Sequence, residues 1–196
     1  MANQYKAIFV YGALMDGDHE GRAAFVKDHA VRFVAPGVPI LEPGFAALVA
    51  APGQEAHGAV LTVDGPTWNK MLDIEDGYER IAVIAQVDGE DVPCQALMFP
   101  GATSSSPEFR PSARYMGRLV AGALRHGLPT DAVQQLRQRQ TAGSKISANL
   151  VWLQRPVEKL VPYVGLTGAI IIVLITLFSL TTLLAAPIVI AFLAAL

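Results

Sequence analysis

The chain is short of cysteine, of surplus positive charge and of aromatic residues, and its last stretch has no charge at all. Cys94 is the only cysteine, which excludes an intrachain disulfide. It lies in the apolar run Val92 to Phe99, a strand pattern, and reads as a buried structural thiol. The 15 Lys and Arg against 17 Asp and Glu leave a net charge of -2 with no basic run, and aromatic residues make up only 8%. That argues against a nucleic-acid surface. His19, His29, His57 and His126 have no ligand spacing, so neither a metal site nor a metal cofactor is expected. No Gly-x-Ser-x-Gly surrounds Ser104, Ser105 and Ser106, which excludes a nucleophile elbow there. The first apolar run, Ala7 to Val10, is too short for a signal peptide.

Charge stops at Lys159; Leu160 to Leu196 carry none. Val164 to Leu184 is long enough for one bilayer crossing, and Trp152 and Tyr163 suit a membrane interface. One continuous helix from Leu160 would be about 55 Å long, too long for a hydrocarbon core of roughly 30 Å. It must therefore tilt, kink at Pro187 or turn back. Lys145, Arg155 and Lys159 precede the apolar stretch, which places the N-terminal domain in the cytoplasm by the positive-inside rule. The expected organisation is a domain over 1–140, a polar linker over 141–159 and a transmembrane tail over 160–196. The expected localisation is the membrane, through a single-pass or kinked C-terminal anchor.

What remains is enough for one ordinary core. Lys6 to Tyr11 reads as a strand, Gly12 to Gly17 as a turn rich in backbone N–H groups, and His19 to His29 as a modest helix. Val31 to Val34, Phe45 to Ala50 and His57 to Val63 read as strands. Thr67 is placed to cap a short helix after Asp64-Gly65-Pro66. Ile81 to Val87 and Val92 to Phe99 flank Asp88-Gly89, a hairpin signal. Ser112 starts a helix through His126, with Tyr115, Met116, Leu119, Val120, Ala123 and Leu124 as its apolar stripe. Thr130 is placed to cap another short helix. About six short strands with two or three helices make a small α+β domain. On the long helix, Arg114, Arg118 and Arg125 read most simply as a solvated face; the alternative is a docking surface for anionic lipid or a partner.

Two stretches carry chemistry. In Met71-Leu72-Asp73-Ile74-Glu75-Asp76-Gly77-Tyr78-Glu79-Arg80, Leu72 and Ile74 can anchor an acidic turn on the core, and Gly77 permits the turn. A carboxylate held against a protein wall, as Glu75 would be, can have a raised pKa and act as a general acid/base. Asp73 and Asp76 beside it could add like-charge repulsion. The bland alternative is a solvated turn. The second stretch is Ile8-Phe9-Val10-Tyr11-Gly12-Ala13-Leu14, a buried strand running into a glycine turn.

These stretches, with Gly58-Ala59-Val60-Leu61-Thr62-Val63 between them, resemble the γ-glutamylcyclotransferase-like family, including its γ-glutamylamine cyclotransferase members. Pro111-Ser112-Ala113-Arg114-Tyr115 and Ala121 to Pro129 resemble the late helix of bacterial members. The resemblance covers roughly residues 5 to 138. It implies a compact, small mixed β-barrel with flanking helices and the site at one end. It implies Glu75 as the acid/base, Tyr11, Gly12, Ala13 and Leu14 as the substrate-cradling turn, and Tyr78 bordering the substrate. No cofactor is implied. Position 13 departs from the pattern, with Ala13 where a hydroxyl is usual; one neutral hydrogen bond is worth about 1 kcal/mol. The following Asp16 and Asp18 are poor company for an anionic substrate.

Two functions follow. One is a membrane-anchored enzyme that cyclises a small γ-glutamyl substrate to 5-oxoproline, releasing an amine or amino acid, with membrane lipid around its tail. The other is a non-catalytic accessory subunit of a membrane complex. There Gly165, Gly168, Ala169 and small hydroxyls would pack against other transmembrane subunits.

Overall fold

The computed structural model describes residues 5–38, 42–75 and 77–142, together with 168, 171 and 172. The chain divides into two compact units, Met1–Asn149 and Leu150–Leu196. Five strands close into a barrel in the order β1-β3-β2-β4-β5. They are β1 (Lys6–Val10), β2 (Gly21–Val38), β3 (Glu42–Val63), β4 (Glu79–Val87) and β5 (Glu90–Met98). Three α-helices accompany them: α1 (Gly65–Ile74), α2 (Ala113–Arg125) and α3 (Thr130–Gln138). A single 3-10 turn, Ala13–Asp16, follows β1.

The antiparallel neighbours β1–β3, β3–β2, β2–β4 and β4–β5 form the wall. The parallel pairing of Ile8 with Gln95 and Phe9 with Ala96 closes it. Closure pairs β1 on both sides, with β3 and with β5, so that strand has no free edge there. Alternation along β1 sends its residues into two of the apolar clusters that make up the core. Phe9 and Tyr11 join a cluster with Val26, Leu48, Val60, Ala85 and Ala96, against Tyr115, Met116 and Leu119 of α2. Ile8 and Val10 join a second with Leu61, Val63, Trp68, Met71, Leu128 and Val133, which involves α1 and α3.

The barrel has five strands where six were expected, because two expected strands are one, and an expected helix is also strand. The expected helix from His19 to His29 is instead the first half of β2, continuous with the expected strand Val31 to Val34. Ala24 and Val26 are buried while Ala23, Phe25 and Lys27 on the other parity are not, a period of two that the many alanines obscure in the sequence. Likewise Phe45 to Ala50 and His57 to Val63 belong to one strand, β3. Pro52-Gly53 does not end it. The β2–β3 register shifts between Lys27 and His29, where Asp28 has a φ of 59° and its carboxylate accepts from the Gly53 N–H at 2.8 Å. The pair is a bulge that bends both strands without breaking them.

Capping corrects two further expectations. Asp64, not Thr67, caps α1: its carboxylate accepts from the Thr67 N–H at 2.8 Å. Thr130 is the first residue of α3 and not its cap; Pro129 takes that position with no side-chain bond. Ser112 does cap α2, accepting from the Tyr115 N–H at 3.0 Å. Asp88 and Gly89 both have positive φ, at 52° and 85°, as a two-residue hairpin turn requires. Cys94 is buried, and that burial pushes its thiol pKa up.

Among the described residues no helix is long and apolar enough to cross a membrane. The expected transmembrane tail over 160–196 lies, apart from 168, 171 and 172, outside the described residues.

Candidate active site

Glu75 follows the last residue of α1 and caps it, its N–H donating to the Met71 carbonyl at 3.2 Å. Its own carbonyl accepts from the Tyr78 N–H at 3.2 Å. Between them the chain turns through Gly77, whose φ of 86° is left-handed and favours glycine. The helix end and this turn fix the Glu75 backbone from both sides. The side chain is carried into the protein: Glu75 is only partly exposed, whereas Asp73 and Ile74 before it are exposed. Burial raises the Glu75 carboxyl from 4.5 to about 7, and the Arg118 guanidinium pulls it partly back. Desolvation, not the neighbouring Asp73, does the raising. Asp76 lies outside the described residues.

Three tyrosines share the electrostatic neighbourhood of Glu75: Tyr11, Tyr78 and Tyr115. Each is held above the ordinary phenol range, chiefly by burial. Their hydroxyls are used differently. Tyr11 donates to the Leu97 carbonyl at 2.5 Å, with the Leu48 backbone also beside it. Tyr78 donates to the Ala46 carbonyl at 2.8 Å. Tyr115 instead accepts, from the Ala46 N–H at 3.2 Å. Its own hydrogen therefore has no acceptor among the described residues, and it can still donate. Tyr115 was legible in the sequence only as part of the apolar stripe of α2. Nothing in that stripe distinguishes a polar tip beside Glu75 from a packing ring.

Tyr115 also touches the turn after β1. A Cβ on Gly12 would meet its hydroxyl at 3.4 Å. Gly12 precedes the 3-10 turn, and the N–H groups that open a helical turn have no partner inside it. Ala13 and Leu14 supply those groups. Their side chains pack on the two apolar clusters, so only their backbone is left to meet a ligand. The fold thus brings Tyr11, Glu75 and Tyr78 into one electrostatic neighbourhood and adds Tyr115, which reaches Gly12. Arg80 is exposed on β4.

The arginines of α2 are not a solvated row. Arg118 Nε donates to Asp16 at 3.0 Å, and Arg125 lies 3.8 Å from the other Asp16 oxygen. Arg114 reaches Glu42 at 3.4 Å. The acidity of the turn at Asp16, read as unfavourable to an anion, is thereby countered. Two shallow surface hollows lie away from Glu75. One is lined by Asp18, His19, Glu20, Gly21, Arg125 and His126, the other by residues of β2, β4 and β5. Among the described residues no group of three or more His, Cys, Asp or Glu could hold a metal ion.

A family model described as "Gamma-glutamyl cyclotransferase, AIG2-like" matches residues 8–116, more than half of the chain. The chain belongs to the AIG2-like γ-glutamyl cyclotransferase family. The match begins in β1 and ends in the first turn of α2, so it spans Tyr11, Glu75, Tyr78 and Tyr115. No curated protein sequence matches the chain. Solved structures share its fold at low identity. One named "Gamma-glutamyl cyclotransferase" aligns with a TM-score of 0.63 and 18% identity, covering 72% of this chain and 92% of its own. The Homo sapiens protein loc79017 gives 0.62 and 18%, covering 76% and 98%. YkqA from Bacillus subtilis gives 0.58 and 15%, covering 71% of this chain and 56% of its own. The cyclotransferase-like barrel is thus shared with structures of low sequence identity.

Proposed function

We propose that the chain is a γ-glutamylcyclotransferase that closes γ-glutamyl compounds to 5-oxoproline. The observation that carries this reading is one carboxyl, Glu75, held at a helix end against the barrel with its pKa raised to about 7. Cyclisation asks for such a group. The substrate's α-amine must lose a proton as its nitrogen attacks the γ-carbonyl carbon. A new C–N bond forms, the γ-amide C–N bond breaks, and the leaving amine needs a proton. Glu75 takes the first proton and returns it to the leaving amine, so no water, oxidant or cofactor is consumed. A base that titrates near neutral pH suits both transfers.

The developing oxyanion needs donors aimed at it. The backbone N–H groups opening the 3-10 turn and the unused hydrogen of Tyr115 supply them in this reading. Loss of a hydroxyl at Ala13 leaves those backbone donors in place. Tyr11 and Tyr78, whose hydrogens are committed to carbonyls, can only accept, and so suit the substrate's amine. The uncharged stretch from Leu160 onward supports a membrane-anchored form of the enzyme, with the barrel on the cytoplasmic side.

The test is 5-oxoproline release from a panel of γ-glutamyl dipeptides and γ-glutamylamines by the detergent-purified chain. Glu75→Gln is expected to lower kcat by roughly 10²–10⁴, the usual worth of a general acid/base. Equal release by parent and variant would remove Glu75 from the mechanism. No release by folded parent across the panel would favour a non-catalytic subunit.

A further inference from the structure

The family resemblance left Arg118 with no role, yet its position on α2 is specific. Tyr115, Arg118 and Gly122 are three and four residues apart, so they share one face of the helix. Tyr115 abuts Gly12 at the start of the 3-10 turn, through its hydroxyl. Gly122 abuts Met15 at the other end: a Cβ there would meet the Met15 Cβ at 2.6 Å and the Met15 carbonyl oxygen at 2.9 Å. Arg118 therefore lies between these contacts, alongside the turn, and its Nε donates to Asp16 at 3.0 Å. Its side chain remains 38% exposed.

The charges around Asp16 do not balance. Arg118 and Arg125 both face this one carboxylate, at 3.0 and 3.8 Å. Arg125 also donates to the Gly17 carbonyl at 2.6 Å, so it keeps the turn tethered by itself. The other acid near Arg118, Glu42, is already held by Ser112, which donates from its N–H at 2.8 Å and its hydroxyl at 2.5 Å, and by Arg114. One guanidinium can leave Asp16 for an incoming anion without stranding that carboxylate.

Substrate chemistry says where such an anion would come. This step rests on the cyclotransferase reading above. The α-amine that Glu75 deprotonates and the α-carboxylate hang from the same carbon. A cation for the carboxylate must therefore stand beside Glu75. Arg118 is the cation whose charge acts on the Glu75 carboxyl. We infer that Arg118 binds the α-carboxylate of the γ-glutamyl group, exchanging its contact with Asp16 for a paired contact to the substrate. Guanidinium matches carboxylate with two parallel hydrogen bonds, a geometry lysine cannot reproduce.

The experiment compares γ-glutamylalanine with its counterpart carrying a carboxamide in place of the glutamyl α-carboxylate, which would close to 5-oxoprolinamide. The full chain in detergent is assayed beside Arg118→Gln, Arg118→Lys and, as a control, Arg22→Ala, whose exposed arginine pairs with Asp88, each checked for folding by its thermal melt. The parent is expected to show a KM at least tenfold lower for the carboxylate. Arg118→Gln should abolish that preference by raising the carboxylate KM, Arg118→Lys should recover part of it, and Arg22→Ala should retain it. A preference unchanged in Arg118→Gln, or absent in the parent, overturns the assignment. If the parent turns over neither compound, the cyclotransferase reading fails by itself, and equilibrium binding of 5-oxoproline against 5-oxoprolinamide decides on Arg118. Selective binding by the parent that Arg118→Gln loses supports the site; no binding, or equal binding by both proteins, overturns it.

Discussion

Glu75 is costly to the fold as well as placed for chemistry. An ionised carboxyl that titrates near 7 instead of 4.5 destabilises the folded state by as much as about 3 kcal/mol at 25 °C. The sign follows from the raised value. Below the ordinary carboxyl pKa both folded and unfolded chains hold the proton and nothing is lost. As pH rises towards 7 the unfolded chain ionises first, and stability falls; above 7 the loss is constant. Glu75→Gln should therefore melt like the parent at pH 4 and above it at pH 8, in matched thermal scans. A parent and variant that melt together across this range would mean that Glu75 is solvated. Activity should run the opposite way, with kcat/KM rising with pH until a plateau above about 7, since the base form is the reactive one.

At the scale of elements, α2 is the piece on which the site depends. Ser112 does two things at its start: the hydroxyl caps the Tyr115 N–H and donates to the buried Glu42. Ser112→Ala removes the cap and takes the closer of two donors from a buried carboxylate oxygen, leaving it Arg114 at 3.4 Å. The expected cost is about 2–3 kcal/mol in urea unfolding. It should exceed that of an ordinary exposed Ser→Ala change, and a cost below about 0.5 kcal/mol would mean that Glu42 is neutral or hydrated. Further along the same helix, Gly122 lets α2 approach Met15 closely. Gly122→Ala should push the 3-10 turn off the helix. The expected reading is a folded protein with activity reduced at least tenfold, since a small misplacement of a donor turn is enough. Full activity would show that the turn has room to adjust.

At the scale of the molecule, the barrel closes through residues far apart in sequence, with β1 meeting both β3 and β5. Ala142 still belongs to this body, its N–H donating to the Pro111 carbonyl at 2.8 Å. A fragment ending at Asn149, the limit of the first compact unit, is expected to unfold cooperatively with the same midpoint as the barrel of the full chain. It should stay in the aqueous phase on detergent partitioning. The full chain, with its uncharged stretch from Leu160, should enter the detergent phase. Identical partitioning of the two would exclude the anchor.

Local chemistry was legible wherever one signal dominated. The Asp88-Gly89 hairpin, the start of α2 at Ser112 and its apolar stripe up to Ala123, though not the exposed Leu124, could be read directly, because each rests on residues adjacent in the chain or one helical turn apart. The family was legible because Tyr11-Gly12 and Leu72 to Arg80 keep their order and spacing. Strand length was not: alanine packs on either period, and Pro52-Gly53 reads as an end unless its bond to Asp28 is known. Which tyrosine keeps a free hydrogen, and which arginine's charge acts on Glu75, depends on partners dozens of residues away. Sequence determined the groups available for chemistry. Only barrel closure and the docking of α2 decided which of them meet, because burial and charge act through space and not along the chain.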